Sequence, residues 1–352
     1  MATVINKSVG PIGYGLMGKS NTFNAYNLRN NNFTDTSSLI GFTWRPEPPP
    51  LDQAIAALKT ALNNGMTLWN GAEFYGPPEY NSMTLLKAYF TKYPEDADKV
   101  TLIIKGGVDL KTLKPDGSPE NVRRSLDNII SQLGGTKKLD LFSCSRRDPS
   151  TPLEVTFGVI QKEYIDTGKL GAIALSECSA DTINEAAKIA KIGTVEVELS
   201  IFTPDILKNG VAAACAQHGI PITAYSPIGR GILTGRFKEV SDLQQFGYIA
   251  TFPRFQKAAF EHNLKLVNQV ETLAKEKGCT PAQLAVGWVH SQSNRPGLPT
   301  IIPIPGATTA ARVEENSRVV KLTEEDMKKI NDIIESFDVA GERYPDGAPR
   351  NT

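Results

Sequence analysis

Short apolar segments alternate with longer amphipathic segments along the chain, and this alternation constrains the fold more than any other sequence feature. The short segments have the length of buried strands, and the longer ones place apolar residues on one helix face. Such alternation is typical of βα units on a parallel sheet. About eight strands are predicted, near Ile12–Met17, Thr67–Trp69, Val100–Lys105, Leu139–Cys144, Ala172–Ser176, Val195–Leu199, Ile222–Ser226 and Thr300–Ile304.

Helices are predicted between and after these strands, several with an N-cap residue followed by proline or an acidic residue. They are Leu51–Asn63, Tyr80–Tyr93, Pro119–Leu133, Leu153–Thr167, Ala180–Ala190, Asp205–Gln217, Glu261–Lys277, Pro281–Ser291, Ala310–Arg318 and Glu324–Phe337. Barrels of this class exceed about 250 residues as one domain. We therefore predict an α/β fold, a (β/α)₈ TIM barrel with extra helices and long βα loops, as a single domain over residues 1–352.

Charge and composition favour a small-molecule partner. Basic and acidic residues number 38 each, so no excess charge suggests nucleic acid or an acidic membrane surface. No apolar run reaches the roughly 20 residues of a membrane span, and the first residues lack the pattern of a signal peptide. We expect a location in the cytoplasm, with the nucleus as a second location. No pattern specifies an oligomeric state.

The cysteines and the first glycine motif indicate neither a metal site nor a dinucleotide fingerprint. The four cysteines lie far apart without a CxxC pair, which favours reduced thiols and predicts no metal site. Residues 13–18 spell GxGxxG, but an Asn-rich segment follows where the fingerprint requires a helix. We interpret these glycines as positions of close backbone packing at the barrel mouth.

A more specific motif follows the second predicted strand. Residues 65–76 read GMTLWNGAEFYG, which resembles the second strand and loop of the aldo-keto reductases, GxNxxDTAxxYG. In that family the tyrosine, here Tyr75, protonates the carbonyl oxygen as hydride reaches the carbon. The third predicted strand ends in Lys105, at the place of the family's catalytic lysine.

The residues themselves support this chemistry. A phenol with a pKa of about 10 is a poor acid at neutral pH, and a nearby ammonium group stabilises the phenolate. Tyr75 and Lys105 belong to neighbouring strand ends, so they can meet over one carbonyl group. The pair predicts a proton-donating site.

Further motifs extend the resemblance over nearly the whole chain. Residues 139–149 resemble the family's fourth strand, and residues 174–177 and 195–200 resemble strands that hold the nicotinamide carboxamide. Residues 224–231 resemble the strand whose tyrosine stacks on the nicotinamide, and residues 304–316 resemble the phosphate and adenosine site. The implied cofactor-binding residues are Ser176, Glu177, Glu196, Tyr225, Ser226, Pro227, Gly229, Gly231, Gly306, Thr308, Arg312, Glu315 and Asn316.

The resemblance implies NADPH as cofactor, because Arg312 can grip an adenosine 2′-phosphate and helix-start N–H groups can bind phosphate. Four usual side chains differ here. The family's catalytic aspartate and histidine become Asn70 and Ser145, and two carboxamide ligands become Glu177 and Glu196. Both glutamates are expected to accept hydrogen bonds from the carboxamide, with a shared proton or a bond to the substrate's pyridine nitrogen as alternatives.

Without the aspartate, Lys105 is expected to lack its neutralising partner. Either its charge acts more fully on Tyr75, or burial makes it neutral. The chain is also similar to a fungal subfamily, the pyridoxal reductases, in WNGxEFYG, LSE and VEVELS, in residues 43–46 (TWRP) and in residues 343–345. This implies reduction of the aldehyde pyridoxal to pyridoxine with NADPH, with Trp44 at the substrate.

Residues 19–41 form a low-complexity insertion after the first strand, between segments that are nearly adjacent in that subfamily. One interpretation is a loop that covers the site. The other, which we favour, is a translated intron, because a long insert without apolar anchors is difficult to fold over a barrel mouth. Two alternatives to the pyridoxal assignment stay open: a broad aryl-aldehyde reductase, and a barrel that binds NADPH without turnover.

Overall fold

Eight parallel strands form a nearly closed barrel, in which each strand is hydrogen-bonded to the next one along the chain. This computed structural model describes residues 2–17, 49–244 and 251–345, so Trp44 and the insertion 19–41 lie outside the described residues. The predicted TIM barrel is confirmed. The strands are β1 (Ala2–Val4), β2 (Lys7–Val9), β3 (Tyr14–Gly15), β4 (Leu68–Ala72), β5 (Thr101–Gly106), β6 (Leu139–Cys144), β7 (Leu170–Ser176), β8 (Ile192–Glu198), β9 (Ile222–Tyr225) and β10 (Ile301–Pro303).

Helices surround the barrel and follow the predicted amphipathic segments closely. They are α1 (Leu51–Asn63), α2 (Ser82–Lys92), α3 (Pro119–Leu133), α4 (Leu153–Ile160), α5 (Ala180–Ile189), α6 (Val211–Gln217), α7 (Ser241–Gln244), α8 (Lys257–Lys277), α9 (Pro281–Ser291), α10 (Ala310–Ser317) and α11 (Glu324–Ser336). The predicted helix Asp205–Gln217 is divided, because Gly210 has a φ of 90° that ends helical geometry. The predicted helix Leu153–Thr167 continues beyond α4 as a π turn, Gln161–Ile165.

The barrel closes between its first and last strands. The Gly13 amide donates to the Pro303 carbonyl at 2.9 Å, and the Gly15 amide donates to the Pro305 carbonyl at 3.4 Å. A Cβ atom at Gly13 would stand 2.7 Å from the Leu68 carbonyl oxygen, closer than real Cβ atoms approach. Gly13 and Gly15 therefore serve the close backbone packing predicted for this motif, while Gly18 lies outside the described residues.

An N-terminal hairpin, β1 and β2, covers the barrel beside the first residues of its strands. Val4 and Val9 pack among side chains of the barrel interior, and Lys7 forms a 2.6 Å ion pair with Asp140 of β6. The turn residue Asn6 has a φ of 64°, which asparagine tolerates better than most residues. Sequence periodicity did not predict this hairpin, because each strand has only three residues.

Asp148 connects the loop after β6 to the segment before α3. Its carboxylate accepts hydrogen bonds from the amide and hydroxyl of Ser150, the Thr151 hydroxyl and the Gly117 amide. Burial alone would raise the pKa of Asp148, but these donors lower it to about 2 from its ordinary value near 3.8. The charged carboxylate therefore stabilises this part of the barrel mouth.

We expect Asp148→Asn to reduce the free energy of unfolding by about 2 kcal/mol at pH 7. Because the folded pKa of Asp148 is depressed, the stabilisation is complete above the unfolded pKa and is lost as pH falls towards the folded value. Urea unfolding at several pH values should show the variant and the parent converging as pH approaches about 2. Asp98→Asn, at an exposed position, is the control, and an equal loss in both variants would contradict the assignment.

Candidate active site

Three polar side chains from separate strands meet at the carboxyl end of the barrel. Asn70 belongs to β4, Lys105 to β5 and Glu196 to β8, and all three are buried. Parallel strands in a closed barrel bring their carboxyl ends to one rim, where barrel enzymes carry their catalytic groups. Asn70 and Glu196 are thus in direct contact, although they lie 126 positions apart in the sequence.

These side chains form a closed hydrogen-bonded triad. The Lys105 ammonium donates to Glu196 Oε1 at 2.6 Å and to Asn70 Oδ1 at 2.9 Å, while Asn70 Nδ2 donates to Glu196 Oε2 at 2.6 Å. The expectation that Lys105 lacks a carboxylate partner is wrong, because Glu196 reaches it across the barrel. Burial lowers the pKa of Lys105, but the carboxylate of Glu196 and the hydroxyl of Tyr75 together offset burial and raise this pKa above its ordinary value of 10.5. Lys105 is therefore an ammonium ion at neutral pH.

Tyr75 lies beside this triad in the loop after β4. The Lys105 Nζ atom is 5.1 Å from the centroid of the Tyr75 ring. Burial raises the pKa of Tyr75 above 10, and the charges of Lys105 and Arg146 only partly offset that rise. The tyrosine is thus a protonated phenol with a cation beside it, an arrangement that can deliver a proton and stabilise the resulting phenolate.

The loop that carries Tyr75 is anchored by Glu73, which sequence reasoning did not single out. Its buried carboxylate accepts from Arg124 Nη1 at 2.7 Å, from the Ser125 hydroxyl at 2.6 Å and from Asn128 Nδ2 at 2.8 Å. All three donors belong to α3. Three residues from the middle of α3, the helix that follows β5, therefore hold the tyrosine loop in place, an arrangement visible only after folding.

A cavity of about 450 Å³ runs from the triad along the rim towards α10. Asn70 and Glu196 line one end of it. Most of the predicted cofactor residues line this cavity, namely Glu196, Tyr225, Ser226, Pro227, Gly231, Gly306, Thr308, Arg312, Glu315 and Asn316. The predicted residues Ser176, Glu177 and Gly229 do not line it.

Glu177 is directed towards the C-terminal tail. Its carboxylate forms a 2.6 Å ion pair with Arg343 and accepts a hydrogen bond from the Tyr225 hydroxyl at 2.9 Å. Burial would raise the pKa of Glu177, but Arg343 and Arg146 lower it. The structure thus gives different partners to the two glutamates that the sequence grouped together. Glu196, which lines the cavity, holds Lys105, whereas Glu177 holds Tyr225 and the tail.

Ser145 and its neighbour Arg146 occupy the loop after β6. The Ser145 amide donates to the Gly106 carbonyl at 2.9 Å, which places the residue beside the end of β5. Arg146 donates to the Ser145 carbonyl at 2.6 Å. Its positive charge acts on both Tyr75 and Tyr225. Sequence reasoning missed Arg146, although its position directly after Ser145 was a usable signal.

The α10 end of the cavity is basic. Arg312 and Arg236 both line it, and burial together with the charge of Arg236 lowers the pKa of Arg312. No side chain caps the first turn of α10, because Thr309 accepts no capping hydrogen bond. Backbone N–H groups of such a turn bind anions. This end therefore fits a phosphorylated ligand, and Arg236 is a residue that sequence reasoning missed.

Other reactive groups show no sign of catalytic use. Burial raises the pKa of Cys144, Cys178 and Cys215 to about 12, so these thiols are protonated at neutral pH. The parts of the chain that the structure describes contain no cluster of three metal-ligating side chains. Within the same parts, no helix has the length and apolar character needed to cross a membrane.

The chain as a whole is similar to a known family of oxidoreductases. The sequence pattern described as "Aldo/keto reductase family" matches residues 39–335. The chain is therefore a member of the aldo/keto reductase family, as its motifs predicted.

Individual relatives make the similarity more specific. The chain is 40% identical over 354 residues to "Probable pyridoxal reductase 2" of Schizosaccharomyces pombe, covering 98% of this chain and 97% of that protein. It is 36% identical over 328 residues to a Saccharomyces cerevisiae protein that also carries a pyridoxal reductase name, covering 87% and 94%. A solved glycerol dehydrogenase of Gluconobacter oxydans has a TM-score of 0.67 and 25% identity, over 81% of this chain and 86% of that one.

We expect Glu196→Gln to shift the alkaline limit of reductase activity to lower pH. Without the carboxylate, burial dominates and lowers the pKa of Lys105, so the ammonium form is lost earlier as pH rises. The rate of aldehyde reduction, measured from pH 6 to 10, should fall at least about tenfold near the alkaline end.

Glu163→Gln is the matched control, because Glu163 pairs with Arg123 on the outer surface. An unchanged pH profile in Glu196→Gln, with intact folding, would contradict the role given to Glu196.

Proposed function

We propose that this protein is an NADPH-dependent carbonyl reductase whose substrate is pyridoxal, which it reduces to pyridoxine. The observation that carries the proposal is the contact between Tyr75 and a Lys105 ammonium that Glu196 keeps charged, beside the end of a long cavity that Asn70 and Glu196 line. The relatives named as pyridoxal reductases support the choice of substrate.

The residues of the site divide the chemistry between them. The chemistry that NADPH would supply, when bound in the cavity, is a hydride for the aldehyde carbon. Tyr75 gives its phenolic proton to the carbonyl oxygen, which yields the alcohol and leaves a phenolate. Lys105 stabilises that phenolate by its charge, and Glu196 ensures that the charge is present. Solvent then returns a proton to Tyr75, so the cycle ends with the alcohol and the oxidised cofactor.

The same cavity supports the choice of NADPH. Glu196, Tyr225, Ser226 and Pro227 line the part near the triad, where the nicotinamide would lie. The uncapped first turn of α10 fits the phosphates. Arg312 and Arg236 stand close enough for one to lower the pKa of the other, and a 2′-phosphate would relieve this repulsion.

We expect Arg312→Ala to weaken NADPH binding by about ten- to a hundredfold while leaving NADH binding nearly unchanged, because only NADPH carries the 2′-phosphate. Titration of cofactor fluorescence measures both dissociation constants. Arg318→Ala is the control, since Arg318 stands at the other end of the same helix. Equal losses for both cofactors would argue against a 2′-phosphate site.

Ser145 stands where the aldo-keto reductase pattern usually has a histidine that orients the carbonyl, and a serine side chain is much shorter than a histidine side chain. Pyridoxal has a phenolic hydroxyl beside its aldehyde. We propose that this hydroxyl hydrogen-bonds the carbonyl oxygen and supplies the missing orienting group. An analogue of pyridoxal without the hydroxyl should then be reduced much more slowly, and equal rates would exclude this role.

The function is tested by following the loss of NADPH absorbance with pyridoxal. Tyr75→Phe should reduce the rate by at least about a hundredfold, because the variant has no proton donor. Tyr80→Phe is the matched control: its hydroxyl also makes a hydrogen bond, to the Pro49 carbonyl, but outside the triad.

Two other results would replace the proposal. Similar rates with pyridoxal and simple benzaldehydes would indicate a broad aryl-aldehyde reductase. Tight NADPH binding without turnover of any aldehyde would indicate a barrel that binds the cofactor without catalysis, which the intact Tyr75–Lys105 pair argues against.

A further inference from the structure

Four buried charges lie beside the proposed nicotinamide position and take no part in the proton transfer. Arg343 of the C-terminal tail pairs with Glu177 after β7 at 2.6 Å and with Glu198 of β8 at 3.2 Å. Arg230, after β9, pairs with Glu198 at 3.2 Å. We call these four residues the tail cluster. Its two carboxylates and two guanidinium groups balance in charge.

The tail cluster is connected to the cavity wall through Tyr225. The Tyr225 ring lines the cavity, while its hydroxyl donates to Glu177 at 2.9 Å and lies 2.7 Å from the Tyr344 hydroxyl. Arg343 Nη2 also lies within 3.4 Å of the Tyr225 oxygen. Arg343 therefore contacts both Tyr225 and the Glu177 carboxylate that accepts the Tyr225 hydrogen bond.

The backbone around the tail cluster is strained. Glu177, Ser226 and Arg230 have φ values of 51°, 52° and 58°, in the left-handed region that side chains with a Cβ atom disfavour. Such residues persist where the surrounding contacts hold them, and they concentrate at functional sites. Glu177 accepts a hydrogen bond from Tyr225 and Ser226 follows Tyr225 in sequence, so two of these strained residues directly adjoin this tyrosine.

The tail itself has an attachment that does not involve Arg343. The Asn263 side chain of α8 donates to the Ala340 carbonyl at 3.0 Å and accepts from the Ala340 amide at 2.9 Å. Arg254 donates to the Gly341 carbonyl at 3.1 Å. The tail therefore has backbone anchors of its own, and the Arg343 guanidinium is not needed merely to keep it on the barrel.

We propose that Arg343 is a positioning residue: by bridging Glu177 and Glu198, it holds the Tyr225 ring at the cavity wall, where the nicotinamide would bind. This inference rests on the proposed function. Burying several charges is unfavourable unless each is paired. A purely structural ion pair would not require contact with a tyrosine that lines the cavity, whereas Arg343 contacts Tyr225. Arg343 thus acts on hydride transfer through Glu177 and Tyr225, without touching the reacting atoms.

The primary test is Arg343→Met, which keeps the length of the side chain and removes its charge. Glu198 keeps Arg230, but Glu177 loses its ion-pair partner and keeps the Glu198 amide as a donor, so the carboxylate that accepts the Tyr225 hydrogen bond is held less firmly. Single-turnover hydride transfer should slow by about ten- to a hundredfold, the usual effect of a misplacement near 1 Å. The dissociation constant for NADPH should change less than about threefold, because the Arg312 end is intact.

A double-mutant cycle separates positioning from a structural role. Tyr225→Phe removes only the hydroxyl, so if Arg343 acts through it, the two substitutions together should slow hydride transfer little more than Arg343→Met alone. Arg123→Met, which breaks the ion pair with Glu163 on the surface, should leave the rate unchanged. Arg343→Lys restores one of two carboxylate contacts and should recover part of the rate; it also replaces Arg343→Met if that variant does not fold.

Failure of the role given to Arg343 can be distinguished from failure of the proposed reductase function. If the parent protein oxidises NADPH with neither pyridoxal nor 4-nitrobenzaldehyde, the proposed function fails. Bound NADPH fluorescence then still reports the nicotinamide environment, and it should differ between the parent and Arg343→Met. If fluorescence and hydride-transfer rate both match the parent protein while only thermal stability falls, Arg343 is structural and the inference is overturned.

Discussion

Closure of the sheet between β3 and β10 is the constraint on which the remaining structure depends. The backbone hydrogen bonds of Gly13 and Gly15 across this seam require two backbone segments to approach so closely that a Cβ atom at either glycine would collide. Once the ring is closed, every strand presents its carboxyl end to the same rim. Asn70, Lys105 and Glu196 then converge although they belong to strands far apart in sequence.

The rim holds two separate groups of buried charges with different consequences. In the triad, Glu196 keeps Lys105 charged, and that charge acts on Tyr75. In the tail cluster, Arg343 and Arg230 neutralise Glu177 and Glu198 next to Tyr225. Buried charges are tolerated when each has a partner with good geometry. Glu196 of β8 therefore provides Lys105 with the carboxylate partner that the family's β4 aspartate, here Asn70, would otherwise provide.

Much of the fold was predictable because the signals are local. The bounds of α1, α3 and α9 follow directly from amphipathic spacing and helix-start residues. The hairpin of β1 and β2 was not predictable in this way, because three-residue strands carry too little periodicity. Among the site residues, motif spacing led to Tyr75, Lys105 and Arg312, whereas the contributions of Glu73, Arg146 and Arg343 depend on contacts between distant segments.

By itself, then, the sequence determined the barrel class, the order of its elements and the residue types at the rim, since each of these follows from periodicity or from motifs within short segments. Only the tertiary structure decided which charge meets which. Glu177 directly follows Ser176, the β7 residue that is paired with Glu196 of β8, yet Glu177 pairs with Arg343 and Glu196 pairs with Lys105. Ionic partners are chosen by distance through the folded barrel, and a linear sequence contains no record of that distance.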